Sequence, residues 1–284
     1  MYTGKVYLVG AGPGDPELLT RRAYRLIRTA DVVMYDTLTG QAIQDLIPAS
    51  VRALDVGKRS PGDDRRTQVS INRLMVEQAQ AGHRVVRLKG GDPNVFGRGG
   101  EEALYLAAHD IAFEIVPGVS SALAAPGIAG IPLTQRHVAS SFTVITGHED
   151  PNKASSALDW EGLSRIIRAG GTLVILMGVR RLRQNVQALL AHDVPPETPM
   201  AVIEHASHPD QNILTGTLET MAEQVRAAGI GAPAVFVVGD VVQTRERILR
   251  KSLPAFTQIS FNNRPAESET SPDPERMSWA IREY

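Results

Sequence analysis

Short apolar runs bounded by glycine or aspartate recur early in the chain: Val6 to Val9, Val32 to Tyr35, Val51 to Val56, Val85 to Leu88 and Phe113 to Val116. Runs of this length, rich in apolar and β-branched residues, predict buried strands. Between them the apolar residues change to helical spacing, as in Leu18, Leu19, Ala23, Leu26 and Ile27, and again in Ile71, Leu74, Met75 and Ala79. Strand and helix in alternation imply a parallel sheet with helices on its faces.

The segment from Ile128 to Ser140 mixes glycine, proline and polar residues, and a second set of strands begins beyond it with Phe142 to Thr146 and Leu173 to Met177. Met200 to Ile203, Asn212 to Leu214 and Val235 to Val238 continue that set, with a helix over Leu218 to Ala228. The expectation is two tandem α/β domains, residues 1–134 and 141–249, with a ligand cleft between them. From residue 250 to 284 prolines and serines crowd together with few apolar anchors, the pattern of a poorly ordered tail.

Composition narrows the chemistry. The 284 residues contain no cysteine, which removes disulfides, thiolate nucleophiles and zinc–thiolate sites. Seven histidines are scattered; the closest pair, His205 and His208, stands beside Pro209 with no third ligand and reads as a surface loop, so no metal is expected. A net charge of −1 gives no bulk attraction for nucleic acid or an anionic membrane. No stretch of ~18 residues is apolar enough to span a bilayer, and the start of the chain enters a strand pattern directly, which predicts a cytoplasmic protein. Only five of the 30 basic residues are lysines. Arginine's planar fork suits carboxylate recognition, yet codon bias would give the same skew.

Three glycine loops leave the carboxyl ends of predicted strands: Gly10 to Pro16, Leu88 to Pro93 and Val116 to Ser121. In an open α/β sheet that edge is where ligands sit, so three such turns argue for one small-molecule site built largely from backbone. With Asp36 ending the second strand, the first loop has the look of a dinucleotide fold. Two departures count against that. Asp15 replaces the third glycine and would set a carboxylate beside a pyrophosphate, and Pro13 removes an amide where phosphate needs a donor. Asp92 would meet a cationic amine or a ribose, which suits S-adenosyl-L-methionine (SAM) better than a polyphosphate nucleotide.

The residues that decide among these readings are Val6-Tyr7-Leu8-Val9-Gly10-Ala11-Gly12-Pro13-Gly14-Asp15, Val56-Gly57-Lys58-Arg59 and Arg87-Leu88-Lys89-Gly90-Gly91-Asp92-Pro93. With them go Phe96-Gly97-Arg98-Gly99-Gly100-Glu101-Glu102, Gly130-Ile131-Pro132-Leu133-Thr134, Thr146-Gly147-His148 and Met177-Gly178. From Val6 to about Val241 the chain resembles the tetrapyrrole methylases, and within them the uroporphyrinogen-III C-methyltransferases. The first string marks the family broadly; Lys89 to Pro93 and Phe96 to Glu102 are specific to the uroporphyrinogen enzymes, which separates the chain from the later precorrin methylases.

The resemblance implies two methyl transfers from SAM to uroporphyrinogen III, giving precorrin-2 for sirohaem or cobalamin synthesis, by a homodimer. It places SAM contacts at Pro13, Gly90, Gly91, Asp92, Val95, Ser120, Ser121 and Met177, with Ala206 and Ala234 contributing backbone from the second domain. It gives Asp36 and Lys58 acid/base roles and sets Arg98 and Glu101 near the substrate. Arg136, with Arg59, Arg65, Arg66 and Arg180, supplies cations near predicted loops for the substrate carboxylates. Thr37, Gln135 and Ala206 depart from the family's usual arginine, histidine and glycine. Structural roles stay open beside these: Asp36 as a cap, Lys58 as a solvated loop charge, Glu101 as a carboxylate favoured by a helix N-terminus, and Arg98 as its ion-pair partner. Outside the family, a nicotinamide oxidoreductase and a non-catalytic SAM-binding module are the rivals.

Overall fold

The computed structural model describes residues 4–57, 67–148 and 157–252. Lys58, Arg59, Arg65 and Arg66, and all of the expected tail beyond Ser252, lie outside the described residues.

The first sheet contains β1 (Lys5–Gly10), β2 (Val32–Tyr35), β3 (Arg52–Asp55), β4 (Arg84–Lys89) and β5 (Phe113–Val116), in the order β3-β2-β4-β1-β5 and parallel throughout. Alternate residues of β1, β2 and β4 feed two buried layers, whereas β3 and β5, at the edges, are exposed or only partly buried over most of their length, short of the burial that the sequence predicts for them. Val6, Leu8, Met34 and Val85 pack beneath α3 (Gln68–Gln80) and α4 (Gly99–Ala107). Val9, Val33, Val86 and Leu88 pack beneath α1 (Arg21–Thr29), whose start is capped by the Thr20 hydroxyl accepting from the Ala23 amide. A short α2 (Gln41–Gln44) follows β2.

The second sheet is mixed. Its strands are β6 (Phe142–Thr146), β7 (Thr172–Leu176), β8 (Pro199–Glu204), β9 (Asn212–Thr217) and β10 (Ala234–Val238), in the order β6-β7-β10-β8-β9. β6 and β7 are parallel and every other pairing is antiparallel. One face carries Leu173, Ile175, Met200, Val202 and Phe236 against α6 (Trp160–Arg168), α7 (Leu182–Leu190) and α8 (Leu218–Ala227). The other carries Val174, Leu176, Ala201, Ile203 and Val237, covered by α5 (Ser121–Ile128) and the start of α9 (Val241–Ser252). Although α5 follows directly on β5 in sequence, its alanines, Ala122 and Ala125, pack on the second sheet, so the chain crosses between the two halves at the third glycine loop.

Candidate functional site

Because β4, β1 and β5 are neighbours in the first sheet, their three glycine loops lie side by side at its carboxyl edge. They are locked together through backbone. Gly12 and Gly91 exchange both amide bonds at 3.1 and 2.7 Å, and the Ala11 amide donates to the Lys89 carbonyl at 2.8 Å. A Cβ on Gly10 would stand 2.5 Å from the Gly118 nitrogen, and one on Gly118 would overlap the Gly91 carbonyl. Only glycine permits main chains to approach so closely. Gly91 is also left-handed, with φ +67°, which turns the loop toward Ser120 and Ser121 at the head of α5.

The polar residues of these loops brace them. Asp15 accepts from the Glu17 amide at 2.9 Å and caps the turn Pro16–Leu18, which accounts for a carboxylate where a dinucleotide fold has glycine. Asp92 accepts from the Asn94 amide at 2.8 Å and the Gly118 amide at 3.1 Å, so its carboxylate ties the second loop to the third. The Ser120 hydroxyl caps α5. Val95 and the neighbouring Phe96 are exposed. Phe96 and Arg98 both hold left-handed backbone, φ +53° and +59°, a cost of about 1–3 kcal/mol each for side-chain-bearing residues and a mark of functional segments.

The second sheet contributes one edge. Met177 follows the end of β7 with φ +56°, and Ala234 opens the antiparallel β10 directly beside Glu204 at the end of β8. The Gly147 amide donates to the Leu176 carbonyl at 2.7 Å, and a Cβ on Gly147 would stand 2.6 Å from the Gly178 Cα, so Thr146-Gly147-His148 meets Met177-Gly178. The loop from β8 to β9 then reaches across to the first half. The Asp15 amide donates to the Ser207 hydroxyl at 3.1 Å, and the His208 ring fills the space above Gly14 and Gly40. Ala206 lies inside that loop, partly buried against the second core. Ser207 and His208 thus bring the loop that holds Ala206 against the first glycine loop, which holds Pro13.

Beneath the second loop lies a charged cluster. Arg87 and Lys89 follow Val85 on the face of β4 that packs under α3 and α4, and they are only 4% and 5% exposed. Both meet Glu102 of α4, itself fully buried: Arg87 Nε at 3.2 Å and Lys89 Nζ at 2.9 Å. Gln68 of α3 adds a bond to the same carboxylate at 3.1 Å. The Arg87 guanidinium also reaches Asp36 through Nη2 at 3.1 Å and the Leu88 carbonyl through Nη1 at 2.9 Å. Burial, and then the Arg87 charge, hold the Lys89 ammonium below its ordinary pKa, with Glu102 opposing both.

Asp36 is the outer member of this cluster, 24% exposed. Its Oδ1 accepts from the Leu38 amide at 3.2 Å and so caps the turn Thr37–Thr39. The cap and the ion pair coexist. Arg98 and Glu101 form an exposed, two-pronged pair at 3.0 and 2.6 Å, and that bond lowers the pKa of Glu101. Arg136 stands exposed in a separate turn closed by Gln135 and Ala139, and Arg180 in the turn after β7. Among the described residues no group of side chains has the make-up of a metal site.

The profile of the Tetrapyrrole (Corrin/Porphyrin) Methylases matches residues 5–222, most of both sheets. The chain belongs to the tetrapyrrole methylases. Within that family it is 54% identical over 243 residues to the S-adenosyl-L-methionine-dependent uroporphyrinogen III methyltransferase of Methanosarcina barkeri, covering 86% of this chain and 94% of that protein. The uroporphyrin-III C-methyltransferase of Thermus thermophilus, solved in complex with S-adenosylhomocysteine, superposes with a TM-score of 0.72 at 41% identity, over 84% of this chain and 99% of that one. The sirohaem synthase of Thiobacillus denitrificans is 44% identical, and the alignment takes in 86% of this chain but 50% of that longer protein. The two-sheet tetrapyrrole methylase architecture is thus the one expected from the sequence.

Arg87, Lys89 and Glu102 were not among the expected site residues, although all three stand in the strings that carry the resemblance. The signal was present: two cations at i and i+2 in a central, otherwise apolar strand must share a buried face and need a buried anion. Ser207 and His208 carry no comparable signal, because nothing in a polar hairpin loop says which distant turn it will cover.

Proposed function

We propose that this protein methylates uroporphyrinogen III twice with SAM as donor, giving precorrin-2, and does so as a cytoplasmic homodimer. The observation that carries the reading is the 54% identity across 94% of the Methanosarcina barkeri enzyme, with the loop strings that build the cleft intact. The loops support SAM over a nucleotide: they are packed through glycine backbone, and the Asp92 and Asp15 carboxylates stand in them where a polyphosphate would be repelled. Bound there, SAM supplies a methyl group made electrophilic by its sulfonium.

The protein itself must supply alignment and one proton transfer. Holding two reactants in line accounts for roughly 7–11 kcal/mol of barrier reduction, whereas a single acid/base group adds about 3–5 kcal/mol. Pro13, Gly90, Gly91, Val95, Ser120, Ser121, Met177, Ala206 and Ala234 are the proposed walls of the donor site. A pyrrole carbon that has gained a methyl must lose a proton from a neighbouring carbon, and Asp36, fixed on two sides yet partly open to solvent, is the proposed acceptor. Arg98 and Arg136 are proposed to meet substrate carboxylates, with the bidentate Arg98–Glu101 pair opening in favour of the substrate, and Lys58 is proposed as a second acid/base group.

Anaerobic incubation of the purified protein with uroporphyrinogen III and SAM, read by mass spectrometry, tests the assignment. A gain of two methyl groups supports it. No gain by a protein that binds SAM in calorimetry would remove the substrate claim, and absence of SAM binding would remove the reading of the cleft.

A further inference from the structure

The cluster of Arg87, Lys89, Glu102 and Asp36 is unfavourable to build. Burying charged side chains costs several kcal/mol per ion, and apolar residues of similar volume often serve a core equally well or better. The cluster also sits where an apolar layer would be continuous: Val85 precedes it on β4, and Ile71, Met75 and Leu106 pack against the same face. Stability alone gives no reason for it.

Its geometry gives one. Glu102 is held by Arg87, Lys89 and Gln68 and has no exposed surface. Arg87 is held at Nε by Glu102 and at Nη1 by the Leu88 carbonyl, both buried, which fixes the plane of its guanidinium and leaves Nη2 aimed at Asp36 Oδ2. The Asp36 Oδ1 is meanwhile set by the Leu38 amide. Of the four charged groups only Asp36 opens appreciably to solvent, 24% against at most 5% for the others. The cluster is a buried strut with one exposed end.

We infer that Arg87, braced by Glu102, is a positioning residue that fixes the Asp36 carboxylate for its part in the methyl-transfer reaction. This rests on the reading of Asp36 as the proton acceptor. A guanidinium suits this role because its fork spans two carboxylates in one plane, which the point charge of a lysine cannot do. Displacement of a reacting group by about 1 Å costs on the order of 100-fold in rate.

The test is a cycle of Asp36→Asn, Arg87→Lys, Arg87→Met and each double variant, measured for kcat on uroporphyrinogen III, SAM affinity by calorimetry, and thermal stability. Arg87→Met is expected to lower kcat about 100-fold, with SAM affinity unchanged and no further loss when added to Asp36→Asn. A group acting only through Asp36 cannot matter once Asp36 is disabled, whereas a merely structural role lowers activity again in the double variant. Where Arg87→Met does not fold, Arg87→Lys decides: it keeps the buried charge and is expected to lose kcat alone. Additive losses, or a loss of SAM affinity in step with kcat, would overturn the inference. If Asp36→Asn itself leaves kcat intact, the reading of Asp36 fails instead, and the strut loses its function with it.

Discussion

The amide of Asp15 donates to the hydroxyl of Ser207 at 3.1 Å, a bond between residues 192 positions apart that ties the first glycine loop to the hairpin loop of the second sheet. Pro13 lies two residues from one end of this bond and Ala206 next to the other, so the bond sets how far apart two proposed SAM contacts stand. A neutral hydrogen bond of this kind contributes about 0.5–1.5 kcal/mol. Ser207→Ala is therefore expected to lower the unfolding free energy by about that amount and to weaken SAM binding by at most roughly 10-fold, seen in titration calorimetry. Unchanged affinity would mean that the clasp does not shape the donor site.

Gly118 faces a harsher constraint. The obstacle to a Cβ there is the Gly91 carbonyl, main chain that cannot rotate away as a side chain could. Gly118→Ala must push the second and third loops apart and is expected to abolish measurable SAM binding. Gly127, exposed in α5 with nothing within 4 Å of its Cβ position, is the control: Gly127→Ala is expected to stabilise the protein by about 0.5–1 kcal/mol and leave binding alone. Equal effects of the two substitutions on SAM affinity would contradict this account of the loops.

Much of the architecture is legible in the sequence, and for one reason. Strands buried on both faces leave continuous apolar runs, so Val32 to Tyr35, Leu173 to Leu176 and Val235 to Val238 fall where the pattern places them. Sheet order is not legible, because periodicity reports which face is buried and not which strand is adjacent. The placement of α5 is hidden similarly: its small residues fit either core, and only the fold shows them on the second sheet. The loop residues of the site are found through glycine, whose need is local, whereas the Arg87 strut depends on a partner fifteen residues away on another element.

The depressed pKa of Lys89 fixes the sign of a pH effect. Between its lowered folded value and the ordinary lysine value of 10.5, the unfolded chain binds a proton that the folded chain has released. Stability from this group is therefore least below the folded value and rises with pH across that interval. Lys89→Met removes this contribution. The difference in unfolding free energy between the variant and the parent, followed by denaturant titration upward from neutral pH, is expected to be flat at first and then to grow in the parent's favour. A difference that stays level up to pH 10.5 would show that the amine keeps its ordinary affinity for protons.

Glu101 and Glu102 are neighbours in the first turn of α4, yet their surroundings predict opposite phenotypes. Glu101 pairs with Arg98 in the open, where solvent and salt screen the interaction and such pairs are worth about 0–1 kcal/mol. Glu101→Gln is expected to leave thermal stability nearly unchanged, and by freeing the Arg98 guanidinium to alter the KM for the tetrapyrrole more than kcat. Glu102 is buried between two buried cations, and removing its charge leaves Lys89 with no carboxylate in contact. Breaking a buried pair in this way costs about 3–5 kcal/mol, a fall in Tm on the order of 10 °C for a chain of this size. Scanning calorimetry of the two variants separates the cases. Similar losses of stability in both would mean that the interior cluster is better hydrated than its geometry implies, and a stable Glu102→Gln protein with normal activity would leave the cluster without a role.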